Sequence, residues 1–157
     1  MPRFVLPLLA AALILAALPA FAQPNSCRQE MLRGTWSFTC SGFTDLSKVN
    51  PALAAGTMGP FSMLGRGTLS LEGKGGGKGF ASLGGTVIPF EAEESYAINA
   101  DCTAEKTYVL RNKALGLTVP GKAATVIMPD GSEFSMLILT QGDAVTCQYK
   151  RMSRADY

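Results

Sequence analysis

The chain contains no histidine, and that absence decides which chemistry is open to it. No Ser-His-Asp or Cys-His catalytic set can form, and no imidazole can hold zinc or haem. What remains is four cysteines and a modest number of carboxylates, lysines and tyrosines. Among these, Glu94 has the most informative setting. If the run from Phe90 to Asn99 is a strand, successive side chains point to opposite faces. Phe90, Ala92, Glu94, Tyr96 and Ile98 then share one face, and Glu91, Glu93 and Ser95 share the other. The apolar members pull the first set inward, and Glu94 goes with them. Beyond a turn at Asn99–Cys102, Lys106, Tyr108 and Leu110 keep a common face, which puts Glu94 opposite either Lys106 or Tyr108. A carboxylate inside a small closed sheet needs a cation or a hydrogen-bond partner, because burying it bare is prohibitive. Such a pair would form the polar floor of a cavity. A bulge near Ser95 would instead turn Glu94 to solvent.

The other motifs carry less chemistry. Lys74-Gly75-Gly76-Gly77-Lys78-Gly79 lacks the Ser/Thr that follows the lysine of a phosphate loop, and no helix comes after it. It reads as a flexible hairpin turn. Met58, Met63, Met128 and Met136 read as core or cavity filler rather than metal ligands. Tyr96, Tyr108 and Tyr149 read as core. Glu91 and Glu93 share a solvated face. No cofactor and no metal site is expected.

The cysteines fit with the N-terminus. Arg3 is a short charged segment, Val5 to Leu18 is an apolar run, and Ala20-Phe21-Ala22 is a small-x-small cleavage pattern. Residues 1–22 therefore read as a secretory signal, with no membrane span after its removal. Taking 22 residues from 157 leaves a single domain, residues 23–157, of 135 residues. Cys27, Cys40, Cys102 and Cys147 all lie in it, so export to the periplasm or beyond implies two disulfides, with three pairings open. The mature part carries 13 Lys and Arg against 12 Asp and Glu. No basic stripe exists that would fit nucleic acid, the one block of like charge being Lys150, Arg151 and Arg154; Arg151 and Arg154 read as a soluble tail.

The elements that must position these residues are strands. Helix signals are confined to Ser26–Arg33, with Ser26 as cap and Gly34 as stop. Short alternating runs separated by glycine and Pro-Asp-Gly signals predict about eight strands: 35–41, 65–72, 80–87, 90–99, 103–111, 123–128, 133–140 and 144–151. Pro89 reads as a break. Such a meander buries its edges by closing into an antiparallel up-and-down barrel. Trp36, Phe38 and Cys40 face inward on the first strand, and Val145, Cys147 and Tyr149 on the last. A Cys40–Cys147 bridge would then staple the seam, and Cys27–Cys102 is the natural second bridge at one end. The long segment 42–64, with Leu53, Met58, Phe61 and Met63, reads as a lid or plug over the mouth.

Gly34-Thr35-Trp36, preceded by a short helical turn, resembles the Gly-x-Trp signature that opens the first strand of lipocalins. The second and third lipocalin motifs and the long C-terminal helix are not evident. The Gly-Thr-Trp stretch together with Asp101-Cys102-Thr103 also looks like small secreted bacterial β-barrels, which resemble calycin or allene-oxide-cyclase-like barrels. The resemblance implies a small barrel with a cavity for an apolar molecule. It also implies an arginine from near the end of the chain over Trp36, a place that Arg151 or Arg154 would take. The expected ligand is a small hydrophobic molecule, lined by Trp36, Phe38, Phe90, Glu94, Tyr96, Lys106, Tyr108, Phe134, Met136 and Tyr149. Two other functions fit the same barrel. One is a filled barrel whose loops bind or inhibit an envelope protein; the other is a cofactor-free isomerase or cyclase that uses Glu94 as a buried acid.

Overall fold

A computed structural model describes residues 26–153; the expected signal, residues 1–22, and Arg154 lie outside the described residues. The strands are β1 (Gly34–Asp45), β2 (Met58–Leu69), β3 (Lys74–Leu83), β4 (Thr86–Ile98), β5 (Thr103–Asn112), β6 (Leu117–Ile127), β7 (Glu133–Ile138) and β8 (Asp143–Ser153). Each pairs antiparallel with its neighbour in sequence, and β1 pairs with β8 to close the barrel. A single 3-10 turn, Gln29–Leu32, precedes β1, with Arg28 rather than Ser26 at its start. Closure leaves no row of backbone groups unpaired at an edge, which is why eight short strands form a stable sheet.

Every strand but β7 is longer than local signals indicate, and three expectations are corrected. The glycine run of residues 74–79 is not a turn; it is the first half of β3, paired on both sides. The turn instead falls at Gly84-Gly85, where both residues have positive φ (56° and 92°). That two-residue geometry suits the twist of a hairpin and is open to glycine. Pro89 does not break a strand either. It sits within β4 opposite Phe80, with its ring on the outer face. Finally, most of segment 42–64 is strand. Only residues 46–57 form a loop, and Phe61 and Met63 belong to the inner face of β2.

Both expected disulfides form. Cys40 and Cys147 are direct cross-strand partners on β1 and β8, and their bridge staples the seam. Cys27–Cys102 ties the N-terminal segment to the β4–β5 turn, where the Cys27 amide also donates to the Ala100 carbonyl at 3.2 Å. Two such bridges fit an oxidising compartment outside the cytoplasm.

The interior divides into a filled end and an open end. At the filled end Leu32, Trp36, Leu69, Ile127 and Phe134 are packed together and almost fully buried. Trp36 Nε1 donates to the Leu32 carbonyl at 2.8 Å, closing the barrel with the helical turn. Arg151 lies 4.6 Å over the indole ring. It also donates to the carbonyls of Arg33 (2.8 Å), Gly131 and Met31. So Arg151 is a half-buried clasp between the turn, the β6–β7 connection and β8, not part of a soluble tail. Above this layer an aromatic column rises along β1, β7 and β8. Trp36 meets Phe134 edge-on at 4.9 Å, Phe134 stacks on Tyr149 at 4.2 Å, and Tyr149 packs against Phe38 at 5.2 Å.

Neighbouring strands make room for the rings. Several inner positions of β2, β3 and β4 are glycine or alanine: Gly65, Gly67, Gly75, Gly77, Gly79 and Ala92. A Cβ built on Gly65 would lie 2.5 Å from the Phe38 ring, and one on Gly121 would lie 2.2 Å from the Tyr108 ring. These glycines are therefore a packing device: a large ring that leans over the next strand needs bare backbone at its partner position. Met63 and Met136 are buried as expected, whereas Met58 and Met128 are about half exposed, at 47% and 53%.

Candidate functional site

The β4–β5 register places Glu94 directly opposite Tyr108 and Tyr96 opposite Lys106. The pairing runs unbroken from Glu91 to Ile98, so no bulge at Ser95 turns Glu94 outward. Glu94 and Lys106 are diagonal neighbours on the inner face, a separation that long side chains span. Lys106 Nζ lies 2.8 Å from Glu94 Oε2, and the two side chains are only 2% and 8% exposed. The same ammonium donates to the Tyr149 hydroxyl at 2.9 Å, reaching across the barrel from β5 to β8. Glu94, Lys106 and Tyr149 thus form one polar cluster from three strands, built on top of the aromatic column.

Burial governs the protonation chemistry of this cluster. It pushes the Lys106 ammonium below the usual lysine range, and the negative charge of Glu94 opposes that shift. Burial pushes the Tyr149 phenol well above its usual range, and the nearby charge of Glu94 and its hydrogen bond add to it. Tyr149 therefore stays neutral at any ordinary pH. The ion pair carries no net charge, and it replaces the water that each ion gave up on burial.

Above the cluster lies a cavity of about 100 Å³. Its floor is Glu94, Lys106 and Tyr149, and its walls include Phe61, Met63, Ile88, Phe90, Leu110 and Met136. The Cys40–Cys147 seam lies against one side through Cys147. Tyr108 forms part of the wall, leaning over Gly121, with its phenol raised chiefly by burial. At the mouth stand Thr44, Lys48, Val49 and Asp143.

The mouth is held by a polar latch. Lys48 Nζ lies 2.9 Å from the Asp143 carboxylate and donates to the Gln141 carbonyl at 2.7 Å. Thr44 Oγ1 donates to Asp143 at 2.5 Å. Asp45 secures the loop at both ends, accepting from the Ser47 amide at 3.0 Å and the Gly56 amide at 3.1 Å. The loop of residues 46–57 is therefore a short strap across the rim, in place of the long lid that the sequence suggests.

Of the ten residues expected to line a ligand, Phe90, Glu94, Lys106, Tyr108, Met136 and Tyr149 border the cavity. Trp36, Phe38 and Phe134 lie below it in the packed layer. Tyr96 also lies off the cavity. Its buried hydroxyl sits against Gly75 and has no hydrogen-bond partner among the described residues. Phe61 and Met63 were readable as inner residues, since they alternate in step with Gly65. The Lys48–Asp143 latch joins residues 95 apart and has no local signal. A scan against models of protein families gives no match, and no curated protein matches the chain.

Proposed function

We propose that the protein is an exported binding protein, periplasmic or secreted, that holds a small hydrophobic molecule in the open half of its barrel. The observation that carries this reading is the division of the interior. The closed end is filled to the limit by Trp36, Phe134 and Leu32, while the other end keeps an apolar cavity over an ion-paired floor and under a strapped mouth. Pockets of this kind, apolar with a few placed polar groups, are what small-molecule sites look like. The resemblance to lipocalin and calycin barrels supports the same reading, through Gly34-Thr35-Trp36 and the placement of Arg151 over the ring. Native mass spectrometry of protein purified from its own host, followed by organic extraction, tests it. The expected result is a mass shift that extraction removes. A clean unliganded mass that no member of a hydrophobic library shifts would overturn it.

A second reading, a module that binds an envelope protein, is favoured by one outer feature. Leu64, Phe80 and Pro89 lie side by side across β2, β3 and β4, and Leu64 and Phe80 are more than half exposed. Polar replacement of Leu64 and Phe80 would abolish such an interaction and leave cavity binding intact.

A further inference from the structure

We infer that the cavity selects small uncharged molecules that carry one acceptor oxygen, such as a ketone, and seats that oxygen on Lys106. The inference rests on the binding reading above and names the ligand class of that site. An ammonium has three N–H donors. Glu94 takes one at 2.8 Å and Tyr149 takes a second at 2.9 Å. Among the described residues no group accepts the third, and Lys106 borders the cavity. A carbonyl oxygen arriving from the mouth accepts that donor without altering the charge of the floor. A carboxylate does not fit: it would set a second anion beside Glu94 in an apolar enclosure, where two carboxylates would compete for one ammonium. A plain hydrocarbon fills the walls and leaves the donor unused. The cavity volume, about 100 Å³, is below the roughly 150 Å³ of an apolar cavity that holds benzene. The site therefore suits a body of five or so carbons in a ring or chain rather than a long lipid.

Three probes of matched body separate these cases: cyclopentanone, cyclopentene and cyclopentanecarboxylate, each titrated into the disulfide-intact protein and followed by amide and lysine side-chain NMR shifts. Cyclopentanone is expected to bind at least about tenfold more tightly than cyclopentene, the worth of one hydrogen bond from a charged donor. The carboxylate is expected to bind weakest, and only the ketone is expected to move the Lys106 Nζ resonance. The paired substitution Glu94→Gln with Lys106→Met removes both charges at once. It is expected to erase the preference for the ketone while cyclopentene still binds. Cyclopentene binding as tightly as cyclopentanone in the unaltered protein would overturn the inference and leave the pocket reading standing. So would a carboxylate that binds tightest. If none of the three binds, the pocket reading falls and the inference falls with it. The probe ranking needs no variant, so it decides the matter even if the paired substitution fails to fold.

Discussion

Glu94 shows how one polar residue on an apolar face carries information. Its inward direction followed from alternation alone, and its need for a partner followed from the cost of burying a charge. Which partner it takes depended on a register that local sequence leaves open between Lys106 and Tyr108. The structure uses both: Tyr108 is the direct neighbour, and Lys106 makes the ion pair. Tyr149 completes the cluster from the far side, 43 residues along the chain from Lys106. The phenols make a pH prediction at this scale. Burial raises the pKa of Tyr96, Tyr108 and Tyr149 in the fold, so the unfolded chain releases their protons first, near the ordinary value of about 10. Their contribution to stability is complete below that pH and is lost as pH rises above it. Absorbance near 295 nm should show these three ionising at higher pH in the folded protein than in denaturant, so that adding denaturant just above the ordinary value gives a jump in phenolate. Full ionisation without unfolding would contradict the burial.

At the scale of elements, β3 is the lesson. Its Gly75-Gly76-Gly77-Lys78-Gly79 run has the local signature of a turn, because glycine has weak strand preference and no side chain to pack. The barrel makes it a strand because its inner face must be bare where Gly79 pairs with Phe90 and where the Tyr96 hydroxyl lies against Gly75. The same logic explains Gly65 in β2. Gly65→Ala is expected to cost about 1–3 kcal/mol, since the new methyl meets the Phe38 ring and the Lys78 carbonyl at 2.5 Å. Adding Phe38→Leu should recover part of that loss. Urea midpoints for the single and double variants check it; a neutral Gly65→Ala would show that the ring has room to move. Pro89 fits for a related reason. A proline on the outer face near the end of a pairing is tolerated where its missing N–H is not required by a ladder bond.

At the scale of the whole molecule, closure is what the disulfides secure. Cys40–Cys147 joins residues 107 apart, across the one strand pair that no hairpin connects. Replacing both by alanine is expected to cost about 2–5 kcal/mol, read as a lowered urea midpoint. An unchanged midpoint would mean that the β1–β8 hydrogen bonds hold the seam unaided. By itself the sequence determined the strand class, the inner and outer faces and the closed meander, favoured one of three cysteine pairings, and pointed to Glu94. All of these rest on period-two alternation and on chemistry that any burial would demand. Only the tertiary structure decided where the strands end, that the glycine run is a wall, and that Arg151 is a clasp. It alone separated Trp36, Phe38 and Phe134 below from the cavity above, and brought Lys48 to Asp143 at the rim. The physical reason is shared: each depends on which side chains meet across a closed ring of strands. That is set by the side-chain volumes that meet across neighbouring strands and by contacts about a hundred residues apart, not by any residue's neighbours in the chain.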